Sequence, residues 1–353
     1  MSFFVVGYYA LLIGASCLAA FYNKRQVFLL LFSLTLVSFV MGIVGGPSAL
    51  YAVTIAAGLL ALAAGTSYAF REFLVIIAPT ETSKEIKTAP LTAAFGLFVI
   101  FTYAIAGIFA PIIAPYGQAE VISTAFAPPD EQMLLGADQL GRDMFSRIIY
   151  GARNTVGLAL VATLLAFLMG AIAGLLAATK GGWFDQIMGR AADVIMSIPS
   201  LIFALLMLSI FGTDLYVMVI IVAVIYSPRV FRLTRAVAGN VVVMDYIEAA
   251  KLRGEGTWYL IRREILPNST APLIAEFGLE FCFVFLLIAG LSFLGLGIQP
   301  PTADWGSMVR ENATLISFGD ITPLIPAGAI ALLTVAVNFV VDWMLYRSSG
   351  LKG

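Results

Sequence analysis

The chain has 353 residues, of which 61% are hydrophobic and only 12% charged, and its formal net charge is −1. A soluble globular protein carries roughly 25% charged residues, so this composition excludes an ordinary cytosolic enzyme and a disordered protein. The balanced charge also excludes a nucleic-acid-binding protein. The sequence has no His, and Cys17 and Cys282 both lie in apolar runs, so a metal site and a disulfide are not expected. These features predict a polytopic membrane protein.

Long apolar stretches recur along the whole chain. A helix needs about 20 mostly apolar residues to cross the hydrocarbon core of a bilayer, and the lengths of the stretches favour helices over barrel strands. Within the fifth stretch, Gly170 and Gly174 form a small-xxx-small pair, which is typical of close helix packing. The sequence predicts nine transmembrane helices: residues 3–22, 27–45, 49–70, 91–113, 155–178, 187–211, 215–235, 273–297 and 323–345.

The distribution of Lys and Arg predicts the orientation of these helices, because cytoplasmic connections are enriched in both. With the N-terminus outside and the C-terminus in the cytoplasm, sixteen of the twenty Lys and Arg residues fall on the inside. The first stretch has no basic residue before it and is followed by Lys24 and Arg25, so it is interpreted as a span rather than a signal peptide.

The chain is predicted to have three parts. Residues 1–70 contain three closely spaced spans with almost no loops, and residues 71–90 form a polar linker that is expected in the cytoplasm. Residues 91–353 contain six further spans and one large inside loop, at 236–272. The predicted fold is therefore an all-α membrane domain preceded by an extra three-helix segment.

The inside loop is predicted to form a helical hairpin. Asp245 is placed to cap a short amphipathic helix that ends at Gly254. Thr257 is placed to cap a second helix, which Pro267 is expected to end. Acidic and basic residues balance in this loop, whereas a helix that lies on anionic lipid carries an excess of Lys and Arg. The balance favours a protein partner for the hairpin.

The hairpin also resembles a known motif. Glu248-Ala249-Ala250, followed by Gly254 and Leu266-Pro267, resembles the EAA loop of importer-type ABC transporter permeases. In that family the loop holds a coupling helix that fits a groove on the cytoplasmic ATPase. The resemblance implies that these six residues couple the chain to an ATPase, with both Ala side chains on the docking surface. Glu264 departs from the pattern, which has an apolar residue there.

Two further segments narrow the resemblance to one branch of the family. The run LGADQLGRD at 135–143 and the run LSFLGLGIQPPT at 291–302 resemble the C subunits of dipeptide, oligopeptide and nickel permeases. The resemblance covers about residues 91–345. It implies a type I ABC importer permease with a six-helix core, so that residues 1–90 are an addition to the usual family member.

The resemblance implies a function and a set of partners. It implies a permease subunit in the plasma or inner membrane that, with a homologous second permease, forms the pathway for di- or oligopeptides; nickel and oligosaccharides are alternative cargoes. It also implies two ABC ATPase subunits and an extracellular or periplasmic substrate-binding protein, with surrounding lipid and no nucleic acid. The sequence has no G-x-x-x-x-G-K-[ST] phosphate loop, so ATP and Mg²⁺ are expected on the partner ATPases and no cofactor on this chain.

Four ionisable side chains near membrane depth are candidates for function. Arg190 and Asp193 are three residues apart on one helical face, which predicts a gating or structural ion pair near the inner surface, with substrate contact as the alternative. Glu276 and Glu280 are four residues apart, and like charges at this spacing repel. The pair indicates either a site for a substrate cation or a water-exposed inner mouth of the pathway.

The first outside loop contains a second candidate group, which consists of Asp138, Gly141, Arg142 and Asp143. These residues precede a predicted interfacial helix at 144–153. Three interpretations remain open: a receptor for a substrate-binding protein, a cover over the mouth of the pathway, and a lid without direct contact to either.

Two other classes of function are compatible with the composition. An ion-gradient-driven secondary carrier is the first alternative, although inverted halves and Gly/Pro-broken midspan helices are not evident in the sequence. An intramembrane enzyme is the second, with Asp193 and Asp342 as its carboxylates. Transport that requires added ATPase subunits and ATP is expected only of a permease.

Overall fold

The structure is a computed structural model that describes residues 12, 15, 34, 63–320 and 322–348. The regular secondary structure of these residues is helical, and two isolated β-bridges, Val121–Arg142 and Ala137–Asp143, are the β interactions found among them. The chain divides into two compact units, Met1–Leu91 and Thr92–Gly353. The predicted spans at 3–22, 27–45 and 49–70 lie almost entirely outside the described residues.

The described part of the first unit consists of helical residues 63–77 and helix α1 (Thr80–Thr88). Two hydrogen bonds hold this part together. Ser83 Oγ donates to the carbonyl oxygen of Val75 at 2.9 Å, and Arg71 Nη1 donates to the carbonyl oxygen of Ala89 at 3.3 Å. The segment predicted as a polar linker is therefore largely helical.

The second unit is a helical bundle whose longest connection is the loop between Ile113 and Met144. Its α-helices are α2 (Leu91–Ile108), α3 (Ala110–Ile113), α4 (Met144–Gly151), α5 (Gly157–Lys180), α6 (Gly182–Met196), α7 (Ser200–Phe211), α8 (Leu215–Val242), α9 (Asp245–Leu252), α10 (Thr257–Tyr259), α11 (Leu266–Phe293), α12 (Trp305–Asn312) and α13 (Leu324–Ser348). The bundle has a hairpin end, at residues 245–265, and a loop end, at residues 114–154 and 298–312.

Five helices in the described part of the chain are long and apolar enough to cross a membrane. They are Leu91–Ile108, Met144–Lys180, Leu215–Val242, Thr257–Phe293 and Leu324–Arg347. The predicted span at 187–211 is instead a bent pair: α6 and α7 meet at an angle of 89°. Pro199 explains the break, since it lacks an amide hydrogen and disfavours helical geometry at the residue before it. The described residues thus contain five or six apolar spans.

Two of these spans are longer than the sequence predicts, because π-helical turns join them to the helices before them. Ala152–Val156 connects α4 to α5, and Leu260–Ile265 connects α10 to α11. The prediction that Pro267 ends a helix is wrong, since the helix continues through it to Phe293. Proline is tolerated in the first turn of α11, where its missing amide hydrogen is not needed for an α-helical bond.

Helices α5 and α8 pack closely against each other. A Cβ atom on Gly170 would lie 2.4 Å from the carbonyl oxygen of Ser227, and one on Gly174 would lie 2.8 Å from that of Phe231. The two backbones therefore touch where α5 has no side chain. This contact confirms the predicted packing role of the glycine pair.

Helix α8 contains a proline at its centre. Pro228 has no amide hydrogen, so the carbonyl oxygen of Val224, four residues earlier, lacks its usual helical donor. Ser227 Oγ donates to that oxygen instead, at 3.2 Å. Helix α11 likewise contains an internal proline, Pro272. In both helices that flank the hairpin end, a proline therefore interrupts the series of backbone hydrogen bonds.

We expect Gly170→Ala to destabilise the bundle. The added methyl group would meet the backbone of α8, and such overpacking costs about 1–3 kcal/mol of unfolding free energy. The measurement is the melting temperature of the purified protein in detergent. Gly157→Ala on the same helix is the matched control, because a Cβ atom there has no neighbour within 4 Å and alanine favours the helix. Equal melting temperatures for the two variants would show that Gly170 does not pack tightly against the backbone of α8.

Candidate functional site

The hairpin end begins with α9, which follows directly after α8. The prediction that Asp245 caps this helix is wrong, because Met244 occupies the cap position and no side chain caps the helix there. The predicted end is confirmed: Gly254 has a φ of +82°, which favours glycine. The Gly254 amide donates to the carbonyl oxygen of Lys251 at 2.9 Å, and that of Glu255 donates to Ala250 at 3.2 Å. These bonds close α9 with a tight turn.

One face of α9 is buried against the rest of the hairpin. Ile247 and Ala250 are fully buried and form a small apolar cluster with Leu260 and Ile265, which lie in the π-helical turn before α11. The expectation that Ala250 lies on a docking surface is therefore wrong. Its small side chain lets α9 approach the π-helical turn closely, whereas Ala249 on the other face is exposed.

The exposed face of α9 combines a charge with large apolar side chains. Glu248 and Ala249 lie on it, and so do Tyr246 and Leu252, of which Leu252 is 84% exposed. Trp258, at the start of the second helix, is also exposed. The sequence reasoning missed these three apolar side chains, although their spacing on an amphipathic helix is a usable signal. An exposed apolar patch beside balanced charges is typical of a protein–protein contact.

The second half of the motif lies where the π-helical turn passes into α11. Leu266 and Pro267 are both exposed, and they continue the helix rather than end it. Thr257 is the first residue of α10, and Gly256 precedes it in place of the predicted cap. The side chain of Asn268 donates to the carbonyl oxygen of Glu264 at 2.6 Å. The hairpin is thus continuous with α11 and is not a separate unit.

The predicted ion pair between Arg190 and Asp193 is not formed. Both side chains are exposed on α6, and no salt bridge joins them in the described structure. Instead, Asp185 at the start of α6 pairs with Arg235 of α8, and both Nε and Nη2 of the arginine face the carboxylate. A bidentate pair between two helices is geometrically better than a pair along one helix, and it fixes α6 against α8.

Glu276 and Glu280 lie on α11, beside α8. Glu280 is 2% exposed, Glu276 is half-buried, and Arg229 of α8 acts electrostatically on both. Arg229 itself stacks over the rings of Phe283 and Tyr226, at 4.9 Å and 5.5 Å from the ring centroids. The structure therefore adds a cation and two aromatic rings to the predicted carboxyl pair.

At the loop end, the four predicted residues form a tight turn and a helix start. Asp138 Oδ1 accepts hydrogen bonds from the amides of Leu140 and Arg142, at 2.8 and 3.0 Å. Gly141 has a φ of +77°, and a Cβ atom there would lie 1.9 Å from the carbonyl oxygen of Ser123. Asp143 caps α4 by accepting from the amide of Ser146 at 2.8 Å. These roles require the specific residue types that the motif contains.

A buried charge cluster ties this turn to the second loop segment. Asp138 Oδ2 lies 2.6 Å from Arg142 Nε and 3.2 Å from Arg147 Nε. Glu311 Oε2, on α12, lies 3.1 Å from Arg142 Nη2 and 3.5 Å from Arg147 Nη2. All four side chains are at most 5% exposed, and their charges balance. We call these residues, Asp138, Arg142, Arg147 and Glu311, the loop clamp.

A second set of contacts supports the loop clamp. Asp304 Oδ1 accepts from Thr155 Oγ1 at 2.8 Å, and Asp304 Oδ2 accepts from the amide of Ser307 at 2.8 Å. Burial raises the pKa of Asp304, and these donated hydrogen bonds act in the opposite direction. Trp305 Nε1 donates to the carbonyl oxygen of Ile148 at 3.0 Å. The two loop segments are therefore joined by buried polar contacts and are not independent receptors.

The arrangement does not provide a metal centre in the part of the chain described. No group of three or more His, Cys, Asp or Glu residues there is arranged to hold a metal ion. The described residues form three candidate sites: an exposed apolar face on the hairpin, a mid-bundle cluster on α8 and α11, and the loop clamp.

We expect Arg147→Met to destabilise the loop end. Loss of this cation leaves Asp138 and Glu311 with one guanidinium between them, and breaking a buried ion pair costs about 3–5 kcal/mol. The measurement is faster proteolysis within residues 114–143 and a lower melting temperature. Arg153→Met is the matched control, because Arg153 is exposed. Equal proteolysis of both variants would show that the loop clamp contributes nothing.

Comparison with known proteins identifies the family. Residues 166–349 match the family described as "Binding-protein-dependent transport system inner membrane component". The chain is 34% identical over 254 residues to the di/tripeptide transport system permease protein DppC of Pseudomonas aeruginosa, a match that covers 70% of this chain and 84% of that protein. It is also 34% identical over 263 residues to the dipeptide permease DppC of Alkalihalophilus pseudofirmus, with 74% and 86% covered.

Two further matches are a permease named for glutathione and a solved structure. The glutathione transport system permease protein GsiD of Pectobacterium atrosepticum is 34% identical over 257 residues, which covers 71% of this chain and 84% of that protein. A crystal structure of an amino acid ABC transporter with histidines aligns at 21% identity with a TM-score of 0.44, over 57% of this chain and 94% of that one. On the sequence matches, the chain belongs to the binding-protein-dependent transport system inner membrane component family, as an ABC importer permease similar to the dipeptide permease C subunits.

Proposed function

We propose that this chain is the membrane subunit through which an ABC importer moves di- and oligopeptides into the cell. The observation that carries the proposal is the similarity, over 70–74% of the chain, to permeases named for di- and tripeptides. A further relative is named for glutathione, which is itself a small peptide. The same similarities do not favour an ion-gradient-driven secondary carrier.

We further propose the arrangement of the chain in the membrane. Residues 91–353 are the six-helix core of a type I importer, and residues 1–70 add three helices, which brings the total to nine. Residues 71–90 connect the two parts on the cytoplasmic side. The N-terminus is outside and the C-terminus is in the cytoplasm, because this orientation places sixteen of the twenty Lys and Arg residues inside. The hairpin end then faces the cytoplasm and the loop end faces outward.

The hairpin end is proposed as the coupling element for a pair of cytoplasmic ATPase subunits, which bind the ATP and Mg²⁺. The exposed face with Glu248, Ala249 and Leu252 contacts an ATPase, and the buried face with Ala250 fixes α9 to α11. Gly254 sets the turn, and Leu266-Pro267 lie where the hairpin joins α11. When ATP closes the ATPase pair, α9 moves and tilts α8 and α11 with it. Access to the pathway then switches from outside to inside.

The other proposed partners lie along the bundle and at the loop end. A homologous second permease completes the pathway, and Glu276 and Glu280 are proposed as pathway residues of this chain. Arg190 and Asp193 are proposed to act near the inner surface as separate exposed charges. At the loop end, the loop clamp with Gly141 and Asp143 holds two segments as one rigid surface for an extracellular or periplasmic substrate-binding protein. The buried clamp residues support that surface and do not themselves contact the receptor.

Reconstitution tests the proposed function. The chain is placed in proteoliposomes with its second permease, two ATPases and its substrate-binding protein, and uptake of labelled dialanine is measured. We expect uptake that requires both ATP and the ATPase subunits. Uphill uptake by the chain alone on an ion gradient would contradict the proposal and would indicate a secondary carrier.

We expect Glu248→Lys to uncouple this transporter. The substitution reverses a charge on the exposed face of α9 and leaves the buried face unchanged, so membrane insertion and the fold of the hairpin are retained. Dialanine uptake should fall at least about tenfold, which corresponds to about 1.4 kcal/mol of lost contact energy. Asp214→Lys is the control, because Asp214 is an exposed residue outside both the hairpin end and the loop end. Normal uptake by Glu248→Lys would mean that this face does not couple to an ATPase.

We expect Gly254→Asp to impair coupling through the geometry of α9. A side chain at a φ of +82° is strained, although no atom lies within 4 Å of the added Cβ. Gly254→Asn separates conformation from charge, because asparagine adopts this geometry more readily than most residues. Uptake per ATP hydrolysed should fall in Gly254→Asp and remain closer to normal in Gly254→Asn. Equal loss in both variants would mean that backbone strain alone impairs coupling, and normal uptake per ATP in both variants would contradict the prediction.

A further inference from the structure

Three ionisable side chains meet halfway along the two longest single α-helices of the bundle. Helices α8 and α11 each have 28 residues, and Arg229 and Glu280 each lie fourteen positions after the first residue of their helix. At a rise of 1.5 Å per residue, both lie about 20 Å from either helix end. The predicted apolar spans of these helices end at residue 235 and begin at residue 273, so the three side chains lie in the inner half of the proposed spans, where an ionisable group is retained if it faces a partner or a water-filled path.

Arg229 is held in place by aromatic rings rather than by a carboxylate. Its guanidinium lies 4.9 Å from the ring centroid of Phe283 and 5.5 Å from that of Tyr226. The Tyr226 hydroxyl donates to the carbonyl oxygen of Phe283 at 3.1 Å, which fixes the two rings. None of the salt bridges found in the described residues involves Arg229, and its side chain is exposed. Arg229 is thus a fixed cation whose charge is not neutralised by a direct pair.

The side chain of Glu280 also lacks a direct partner. It is 2% exposed, and its buried Oε2 has no hydrogen-bond partner among the described residues. Glu276 lies one helical turn earlier on the same face and is half-buried. A buried carboxylate oxygen without a donor costs free energy. A buried acceptor of this kind, next to a second carboxyl group, is therefore a place where a ligand donor would bind.

The cluster also borders the break between α6 and α7. Tyr226 interacts with both Glu280 and Ser200, and Ser200 is the first residue of α7 after the bend of 89°. Non-helical backbone within a membrane protein is tolerated where it is buried in protein or lines a water-filled cavity. The position of the cluster is thus compatible with a transport pathway and not only with a structural contact.

We propose that Arg229, Glu276 and Glu280 form a site for the primary ammonium group of the cargo. This inference rests on the proposed function, because it assumes that a peptide passes along α8 and α11. Two carboxyl groups face one guanidinium, so one further cation balances the cluster. The N-terminal ammonium of a peptide is such a cation, and its three donors match the unpaired oxygen of Glu280.

Arg229 has a defined role in this site. A transported group must bind well enough to enter and weakly enough to leave. The guanidinium opposes the ammonium electrostatically and limits its affinity, while Phe283 and Tyr226 keep the guanidinium fixed. Removal of Arg229 is therefore expected to tighten ammonium binding, whereas removal of either carboxyl group weakens it.

The first test measures peptides transported per ATP hydrolysed by the complete reconstituted transporter. Glu280→Gln keeps the shape of the side chain and removes its charge, and we expect it to lower dialanine uptake about tenfold while receptor-stimulated ATP hydrolysis stays within twofold of the wild type. Asp342→Asn is the matched control, because Asp342 is an exposed carboxyl on α13. If Glu280→Gln fails to assemble, half-buried Glu276→Gln carries the same expectation. Wild-type uptake by both Gln variants would overturn the proposal.

The second test uses cysteine chemistry and does not require transport. In the assembled complex, Glu276→Cys with Cys17 and Cys282 replaced by Ala is treated with cationic MTSET or anionic MTSES. Because Glu280 remains nearby, we expect MTSET to react about tenfold faster, and we expect Glu280→Gln to remove the difference. Dialanine should still slow the reaction by binding at Glu280, at a higher concentration than the intact site needs, whereas N-acetyl-dialanine and KCl should not. Equal reaction of the two reagents, or equal protection by KCl, would overturn an ammonium site.

The two tests separate failure of the inference from failure of the proposed function. A wild-type complex that takes up no dialanine with ATP contradicts the peptide cargo, whatever the reactivity at position 276. A wild-type complex that transports dialanine, together with Gln variants that transport equally well, contradicts only the ammonium site.

Discussion

The close contact of α5 with α8 determines how the two ends of this bundle are connected. Gly170 and Gly174 let the backbones touch, so α8 cannot slide or rotate against α5 without a steric clash. At one end, α5 continues through a π-helical turn into α4, which carries Arg147 of the loop clamp. At the other end, Leu175 of α5 packs in the apolar cluster of the hairpin. One rigid pair of helices thus spans the distance between both proposed docking surfaces.

The charged side chains are partnered differently at the loop end and in the middle of the bundle. At the loop end, two arginines and two carboxylates are buried together and neutralise one another, so the cluster is structural. In the middle, Arg229 stacks on rings and Glu280 keeps an unpaired oxygen. A protein that buried charge only for stability would pair these groups as well. The contrast distinguishes the structural loop clamp from the cluster that we propose as a ligand site.

The sequence predicted the helical class, most apolar spans within residues 91–353 and the hairpin stop at Gly254, because these depend on local composition and local backbone geometry. It did not predict that the helix continues through Pro267 or that Ala250 is buried, since both depend on a π-helical turn that has no clear sequence signal. Spacing along one helix suggested a pair at Arg190, whereas the arginine that pairs with α6 is Arg235, 50 residues from Asp185. Partners so distant along the chain are set by packing and not by periodicity.

The proline in α8 has a mechanical consequence. Because the carbonyl oxygen of Val224 already bonds to the hydroxyl of Ser227, α8 can flex at Pro228 without breaking a backbone hydrogen bond. Pro228 immediately precedes Arg229, and the backbone just beyond it packs against Gly174 of α5, so bending at Pro228 displaces the guanidinium relative to Glu280 only when α5 moves together with α8. Under the proposed function, a force applied to α9 would therefore change the electrostatic field around Glu280 through a joint movement of both helices.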